Sequence, residues 1–331
     1  MKITFFGTQP YDRDSFDRAN AAFGFEFNYH RSHLNLNNVA LAQDTDVVCI
    51  FVNDTADAET IDRLAAMGVK LIALRCAGFN NVDLNAAARH RIPVVRVPAY
   101  SPYAVAEYTV ALMLSLNRKI PRASWRTKDG NFSLHGLMGF DMHGKTVGII
   151  GTGKIAKILI HILKGFGMNV LAYDLYPDYN FAREEQIVYT SLDELYHSSD
   201  IISLHCPLTE ATKYLINDYS ISKMKDGVMI INTGRGQLIH TNALIEGLKN
   251  KKIGSAGLDV YEEESEYFYE DQSDRIIDDD VLARLLSFNN VIVTSHQAFF
   301  TREAMGNIAV TTLQNIKDFI NHKPLLNEVK R

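Results

Sequence analysis

The chain has 331 residues, which is enough for two domains of ordinary size. With 47% hydrophobic and 22% charged residues, it has the composition of a water-soluble globular protein. A formal net charge of −5 without a run of Lys or Arg argues against nucleic acid or an anionic membrane as the main partner.

The chain carries no pattern typical of export, membrane insertion or disulfide formation. The opening MKITFFGTQP has too short an apolar run for a signal peptide, and no apolar run of about 18 residues follows. Cys49, Cys76 and Cys206 are odd in number and far apart, which favours reduced thiols. We therefore expect a cytoplasmic protein that does not contact membranes.

The first hundred residues alternate between strand-like and helix-like segments, which predicts a small parallel α/β domain. Strands are predicted over 2–7, 25–29, 46–52, 71–74 and 94–97, and helices over 15–23, 61–67 and 82–90. The loop RCAGFNN (75–81) directly follows a predicted strand, where open α/β sheets bind ligands. Backbone N–H groups at Ala77 and Gly78 would suit a carboxylate. An ordinary turn into the next helix explains the loop equally well.

A proline-rich interruption, PAYSP (98–102), separates this region from the rest of the chain. An apolar helix is predicted directly after it, over 103–116. This is the best candidate for the first crossing between domains. Residues 118–144, which contain the only tryptophan, Trp125, show no pattern that indicates a role.

The second α/β region opens with TVGIIGTGKIAKILIHILKGFGMNVLAYD (146–174). The pattern predicts a strand, a glycine turn, a helix and a second strand that ends at Asp174. Gly151 would permit the tight turn and Gly153 would let a pyrophosphate approach the helix start. Asp174 would bind an adenosine ribose and repel a 2′-phosphate, which favours NAD over NADP. Because the third glycine position is Ala156, the motif is weak when taken alone.

Later strands are predicted over 201–204, 228–232, 254–260 and 291–294. Polar groups follow the last three of these strands. Arg235 lies between two glycines, and its planar fork suits a carboxylate, although an ordinary surface turn is an equal alternative. Glu262–Glu264 follow the strand over 254–260 and begin the acidic segment 262–280. Such a segment is usually a solvated loop. His296 follows the last strand, where chemistry is expected, although most histidines are structural.

These groups suit a nicotinamide enzyme that acts on an alcohol. Such an enzyme needs an acid/base, a cation for a carboxylate and a group that tunes the base. His296, Arg235 and one of the three glutamates would supply them, and the spacing does not choose among the glutamates. The scheme requires no metal. His30 and His33, a close histidine pair, lack acidic or cysteine companions for zinc.

Seven motifs occur in one order along nearly the whole chain. They are RCAGFNNVD, VPAYSPYAVAEYTVALML, GIIGTGKIA, SLHCPLT, INTGRGQLI, AGLDVYEEE and TSHQAF. In these motifs the chain resembles the D-isomer-specific 2-hydroxyacid dehydrogenases, and among them the lactate branch. The resemblance implies an α/β fold with a Rossmann-type NAD-binding domain and a flavodoxin-like parallel α/β substrate domain, with the active site in the cleft between them. It places residues 1–100 and 300–331 in the substrate domain and 101–299 in the NAD-binding domain, with a last helix near 301–319 packed on the first domain.

The resemblance also implies roles for individual residues. Arg235 would bind the substrate carboxylate, His296 would be the acid/base, and Glu264 would pair with His296. Further substrate contacts are implied for Ala77, Gly78, Tyr100 and Phe299. The implied cofactor-binding positions are Gly151, Gly153, Lys154, Ile155, Asp174, Cys206, Pro207, Thr212, Thr233, Gly234, Arg235 and Asp259.

The implied activity is reversible hydride transfer between NAD and C2 of a short D-2-hydroxy acid, with pyruvate and D-lactate as the expected pair. The expected assembly is a homo-oligomer, either a dimer or a tetramer. One alternative is a dehydrogenase for a bulkier 2-keto acid such as 2-ketoisocaproate, although Tyr100 and Phe299 favour a small apolar pocket. The other is an NADH-sensing binding protein, although the set Arg235, Glu264 and His296 favours catalysis.

Overall fold

The computed structural model describes residues 1–263, 268–269 and 271–330. The strands are β1 (Lys2–Phe5), β2 (Glu26–Tyr29), β3 (Val47–Ile50), β4 (Leu71–Leu74), β5 (Val94–Val95), β6 (Thr146–Ile150), β7 (Asn169–Tyr173), β8 (Val188–Tyr189), β9 (Ile201–Leu204), β10 (Val228–Asn232), β11 (Ile253–Leu258) and β12 (Val291–Val293). The helices are α1 (Pro10–Asn20), α2 (Ala58–Ala66), α3 (Leu84–Arg89), α4 (Pro102–Asn117), α5 (Ile120–Lys128), α6 (Lys154–Gly165), α7 (Tyr179–Glu185), α8 (Leu192–Ser198), α9 (Asp218–Lys223), α10 (Thr241–Lys249), α11 (Asp280–Leu286) and α12 (Arg302–Ile320).

These elements divide into two compact units. Unit 1 comprises Met1–Ser101 and the described residues from Phe300 onward, and unit 2 comprises Pro102–Phe299. Unit 1 contains a parallel sheet with the strand order β2-β1-β3-β4-β5. This is the strand order of flavodoxin-like domains, in which the order reverses between the first and third strands.

The sheet of unit 1 is covered on both faces. The segments VVCI of β3 and LIAL of β4 are buried at every position, as expected for central strands of a parallel sheet. Ile61 and Leu64 of α2 belong to the core on one face. On the other face, the Phe5 ring meets the edge of Phe16 from α1, with 4.8 Å between ring centroids. Helix α12 packs against α1 and β4.

Unit 2 contains a parallel sheet with the order β12-β11-β10-β9-β6-β7-β8. Counted from β6, this is the order 3-2-1-4-5-6 of dinucleotide-binding Rossmann domains with one more strand at the edge. One face is covered by α4 and α6, which pack together, and the other by α8, α9, α10 and α11. Most apolar residues of α4 are buried, and Ala106, Val110, Leu112, Met113 and Leu116 belong to the core of unit 2, which explains why this helix is apolar around most of its surface.

One helix begins earlier than the sequence predicts, and residues 118–144, for which the sequence predicts no element, contain a helix. Helix α1 begins at Pro10 rather than at position 15, because proline suits the first helical turn and the Asp12 carboxylate accepts the Gln9 N–H at 3.0 Å. Residues 118–144 contain α5 and a following loop, and several of their apolar side chains are exposed, among them Trp125 (69%) in α5 and Leu134 (82%) in the loop.

Two global expectations concern membranes and disulfides. None of the helices in the described part of the chain is both long and apolar enough to cross a membrane. No disulfide joins Cys49, Cys76 and Cys206, all of which are described.

Candidate active site

The glycine turn after β6 lies against the loop after β9, at the point where the strand order of unit 2 reverses. Gly151 has φ +91°, and a Cβ there would lie 2.5 Å from the Cys206 nitrogen. Only glycine combines this left-handed backbone with so close an approach. A Cβ on Gly153, in contrast, would meet no described atom within 4 Å. The chain therefore leaves open space beside the start of α6.

The start of α6 is arranged to receive an anion. Gly153 is its N-cap, no side chain caps the helix, and no acidic residue lies in its first turn. The first N–H groups of a helix have no partner within the helix, and they carry the positive end of its dipole. Together with the open space at Gly153, they fit the diphosphate of a dinucleotide.

Asp174 is held in one orientation at the end of β7. Its Oδ2 accepts the Thr152 N–H at 2.6 Å and the Thr152 hydroxyl at 2.9 Å, while Oδ1 accepts the Tyr176 N–H at 2.9 Å. Partial burial acts to raise the pKa of Asp174, but these hydrogen bonds outweigh it and hold the pKa below its ordinary value. The ionised carboxylate suits a ribose hydroxyl and repels a phosphate.

The loop after β9 is fixed by its own hydrogen bonds. The Thr212 hydroxyl donates to the Pro207 carbonyl at 2.7 Å and accepts the Thr209 N–H at 2.8 Å. Burial raises the pKa of the half-buried Cys206 thiol to about 11, so this thiol is protonated at neutral pH. The loop thus offers a neutral, ordered surface beside Gly151.

The loop after β10 presents Arg235 to solvent. Asn232 is buried beneath it, accepts the Gly234 N–H at 3.0 Å and donates to the Arg235 carbonyl at 2.9 Å. The Thr233 hydroxyl lies 3.0 Å from that of Thr109 in α4. A Cβ on Gly236 would overlap the Tyr261 carbonyl, so glycine is required there. The exposed Arg235 fork is carried on a rigid turn, with one Nη1–H donated to the Gly234 carbonyl at 2.8 Å.

His296 follows β12 in a strained conformation that Asp259 supports. His296 has φ +52°, which is uncommon outside glycine, and its N–H donates to the Asp259 carbonyl at 2.7 Å. The Asp259 carboxylate is fully buried and accepts the Thr294 hydroxyl at 2.6 Å and the N–H groups of Gln297 and Ala298 at 2.9 and 2.7 Å. Burial raises the pKa of Asp259, although these hydrogen bonds and His296 oppose the shift. Asp259 therefore fixes the turn that carries His296.

The segment after β11 supplies another neighbour of His296. The Tyr269 hydroxyl donates to the His296 carbonyl at 3.3 Å, and the two rings lie 5.9 Å apart between centroids. Glu262 is directed elsewhere, since its carboxylate accepts the N–H of Thr241 at 2.9 Å and the Thr241 hydroxyl at 2.5 Å at the start of α10. Glu264, which we predicted to pair with His296, lies outside the described residues.

In unit 1, the loop after β4 begins with a buried arginine. Arg75 is 2% exposed and donates Nη2–H to the Gly7 carbonyl at 2.8 Å, with its Nε 3.6 Å from Asp12. The half-buried Ala77 and Gly78 follow, and among the described residues their N–H groups have no acceptor. Such adjacent N–H groups suit a carboxylate.

The other two predicted pocket residues lie near the ends of the units. The Tyr100 carbonyl accepts Asn307 Nδ2–H at 2.7 Å within unit 1. Phe299 is half-buried at the last position of unit 2. No group of three or more His, Cys, Asp or Glu side chains within 1–263, 268–269 and 271–330 could hold a metal ion.

Comparison with known proteins decides the family. Residues 110–298 match the model of the D-isomer specific 2-hydroxyacid dehydrogenase NAD binding domain. The chain belongs to the D-isomer specific 2-hydroxyacid dehydrogenases. A 2-hydroxyacid dehydrogenase homolog of Haemophilus influenzae is 54% identical over 316 residues, covering 96% of this dehydrogenase and 95% of the relative. The D-lactate dehydrogenase of Escherichia coli is 50% identical over 329 residues, covering 99% and 100%. The pyruvate reductase of Chlamydomonas reinhardtii matches with a TM-score of 0.95 at 46% identity, covering 99% and 98%.

The predicted family, fold class, NAD cofactor and oxidoreductase class of this dehydrogenase are confirmed. Within unit 2, the glycine turn, the Arg235 turn and His296 all follow carboxyl ends of strands of one sheet. The individual site residues stay predictions. Asp259 was predicted to contact the cofactor, and the contacts observed for its carboxylate are with the His296 turn.

Three residues that shape the site of the dehydrogenase are not predicted from the sequence. Asn232 and Gly236 lie inside the INTGRGQLI motif, and a polar residue ending a buried strand is a signal that could have identified Asn232. Tyr269 lies in the acidic segment, and no local sequence pattern indicates its contact with His296.

Proposed function

We propose that this dehydrogenase is an NAD-dependent D-lactate dehydrogenase, which reduces pyruvate to D-lactate and catalyses the reverse reaction. The observation that carries the proposal is the 50% identity to the Escherichia coli D-lactate dehydrogenase over 99% of this chain. The turns that carry Arg235 and His296 support it, because both are held rigid by buried neighbours.

The geometry at the start of α6 and at the end of β7 supports some of the residues proposed to hold NAD. When bound, NADH supplies the hydride that adds to C2 of the keto acid. The N–H groups of Lys154 and Ile155, beside Gly153, would bind the diphosphate, and Asp174 would bind the adenosine ribose. The remaining proposed contacts are Gly151, Cys206, Pro207, Thr212, Thr233, Gly234, Arg235 and Asp259.

Arg235 is the proposed anchor of the substrate carboxylate. Its guanidinium is exposed and keeps most of its five N–H donors for a ligand. A bidentate pair would orient the keto acid, and the positive charge would polarise the C2 carbonyl. The N–H groups of Ala77 and Gly78 are proposed to bind the same carboxylate. Tyr100 and Phe299 are proposed to line the space for the methyl group.

His296 is the proposed acid/base. In pyruvate reduction it would donate a proton to the C2 oxygen, and in lactate oxidation it would take the proton back. Glu264 is proposed to bind the other imidazole nitrogen and fix the tautomer. Glu262 is not available for this role, because its carboxylate is engaged with Thr241.

A steady-state assay tests the proposal against both alternatives. We expect NADH oxidation with the highest kcat/KM for pyruvate among pyruvate, 2-ketobutyrate and 2-ketoisocaproate, and D-lactate on chiral analysis of the product. A higher kcat/KM for 2-ketoisocaproate would identify a dehydrogenase for bulkier acids. NADH binding without oxidation by any of the three would favour a sensing protein.

We also infer a homo-oligomer and a cytoplasmic location. The exposed apolar side chains of 120–140, including Trp125, Phe132 and Met138, offer a surface for a second copy of the chain. The absence of a disulfide among the three described cysteines fits a reducing compartment. Light scattering tests the assembly by comparing the molar mass of the wild type with that of the double variant Phe132→Ser, Met138→Ser. A wild type that is monomeric at micromolar concentration would contradict it.

A further inference from the structure

The direction of two N–H groups in the loop after β4 is set by the carbonyls beside them. The Cys76 carbonyl accepts the Val97 N–H at 3.0 Å, and the Ala77 carbonyl accepts Arg96 Nη1–H at 2.8 Å. In a planar trans peptide the C=O and the following N–H point in opposite directions. The Ala77 N–H therefore points away from Val97, and the Gly78 N–H points away from the Arg96 guanidinium.

Arg96 contacts this loop twice. Besides its hydrogen bond to Ala77, its guanidinium carbon lies 5.0 Å from the centre of the Phe79 ring. Arginine is suited to this double contact, because its planar group can stack on a ring while its edge donates hydrogen bonds. The side chain of Arg96 is half-buried, so these contacts are only partly screened by water.

The backbone of Arg96 is fixed by a segment far away in sequence. Within segment 325–329, residues 327–329 run antiparallel beside β5, where Val95 forms a single bridge with Glu328 and the Val329 N–H donates to the Val94 carbonyl at 2.8 Å. The Arg96 N–H donates to the Asn327 carbonyl at 3.1 Å. Segment 325–329 thus extends the edge of the sheet next to β5.

A buried asparagine of α12 completes the arrangement. Asn315 donates Nδ2–H to the Arg96 carbonyl at 2.9 Å and accepts Asn327 Nδ2–H on its Oδ1 at 2.8 Å. Asn315 is 7% exposed, and an unpaired amide there would be costly. Both backbone polar groups of Arg96 are therefore held by residues that follow position 300.

We propose that Arg96 is a positioning residue for the substrate carboxylate, and that segment 325–329 sets its position through Asn315 and Asn327. The inference rests on the proposed function, in which the N–H groups of Ala77 and Gly78 bind that carboxylate. Segment 325–329 thereby acts on substrate affinity without contacting the substrate.

Four variants of the full chain test the inference. Arg96→Met removes the hydrogen bond to Ala77, Arg96→Lys keeps the charge and one donor, and Asn327→Ala removes the contact with Asn315. Arg89→Met is the matched control, because Arg89 is an exposed arginine of the same unit whose surface ion pair with Asp62 contributes little. For each variant, KM and kcat for pyruvate, the NADH dissociation constant and hydrogen–deuterium exchange of the loop 76–81 are measured.

We expect Arg96→Met to raise the pyruvate KM about tenfold, as loss of one charged hydrogen bond predicts, with kcat and NADH binding nearly unchanged. Arg96→Lys should recover part of this loss, and Asn327→Ala should raise KM by a smaller factor. Exchange of loop 76–81 should quicken in Arg96→Met and Asn327→Ala and should not change in Arg89→Met.

Exchange and kinetics separate the two ways in which the inference can fail. Unchanged exchange in Arg96→Met would overturn it, since Arg96 would then not hold the loop. Faster exchange with an unchanged KM would also overturn it, because the loop would not bind the carboxylate. If the wild type turned over no short 2-keto acid, the proposed function would fail, and the exchange measurement would still decide whether Arg96 holds the loop.

Discussion

Substitution by alanine should have different effects at Gly151 and Gly153. It should lower the stability of the fold at Gly151 and weaken NADH binding at Gly153. In Gly151→Ala, the new methyl group would lie 2.5 Å from the Cys206 nitrogen on a residue with φ +91°. The left-handed backbone costs ~1–2 kcal/mol for alanine and the overpacking ~1–3 kcal/mol, so the sum is about 2–5 kcal/mol. For a unit of this size the melting temperature should fall by roughly 5 °C or more.

Gly153→Ala should leave stability nearly unchanged and weaken NADH binding. Its methyl group would meet no described atom within 4 Å. The weaker N-cap preference of alanine and its smaller unfolded-state entropy oppose each other, so the net change should stay below about 1 kcal/mol. The methyl group would occupy the space proposed for the diphosphate, and losing one hydrogen bond to a charged group raises the NADH dissociation constant about tenfold.

Thermal unfolding followed by circular dichroism and NADH fluorescence titration test this pair. Gly165→Ala is the matched control, because Gly165 ends the same helix α6 and also has open space around it. It should keep both stability and NADH affinity. A Gly153→Ala variant that binds NADH as tightly as Gly165→Ala, or a Gly151→Ala variant as stable as the wild type, would contradict these expectations.

Four other substitutions give separate predictions. His296→Ala should lower kcat by roughly 10²- to 10⁴-fold through loss of the general acid, with NADH affinity unchanged in a fluorescence titration. Arg235→Lys should raise the pyruvate KM about tenfold in steady-state kinetics, because lysine keeps the charge but loses the fork. Tyr269→Phe should lower kcat about fivefold with little change in KM, since it removes the hydrogen bond from the Tyr269 hydroxyl to the His296 carbonyl. Asp174→Asn should weaken the preference for NADH over NADPH. Folding lowers the pKa of Asp174 from its ordinary value of 3.8, so the ionised carboxylate stabilises the fold fully above that pH. The stability advantage over Asp174→Asn should shrink as the pH falls below 3.8 and through the lower pKa of the folded state.

Each of these four predictions would be contradicted by one specific result. Near-normal turnover of His296→Ala would remove it as acid/base, and an unchanged KM in Arg235→Lys would remove the carboxylate contact. A Tyr269→Phe variant with wild-type kcat would show that the hydroxyl does not support His296. An Asp174→Asn variant with unchanged cofactor preference would place the ribose elsewhere.

The order of the strands and helices could be predicted from the sequence wherever a buried apolar strand is followed by a helix with an apolar stripe. The stretch 146–174 and the central strands β3 and β4 carry such patterns because both faces of their sheets are covered. Element ends were less predictable. Helix α1 begins at Pro10 through proline and the Asp12 hydrogen bond, and its buried residues are only Asp12 and Phe16, too few for a stripe.

The motifs of the candidate site could be predicted from the sequence. The residues that hold the site residues in place could not. Arg235 and His296 stand at strand ends, which a sequence reveals. The roles of Asp259 in holding the His296 turn and of Asn327 in holding Arg96 depend on contacts between residues far apart in the chain, which local patterns do not encode. The spacing left three glutamates open, and the structure assigns Glu262 to the start of α10.

The chain leaves unit 1 at Ser101 and returns to it at Phe300, so that α1 and α12 pack together across almost the whole sequence. During synthesis, unit 2 is complete while the helix that covers α1 has not yet been made. Domains fold as units as they emerge, and contacts between distant residues form slowly. We therefore expect the continuous unit 2 to fold first on the ribosome. Unit 1 should wait without the helix that packs on α1 and β4, and we expect a chaperone to bind the nascent chain at the surface that α12 later covers.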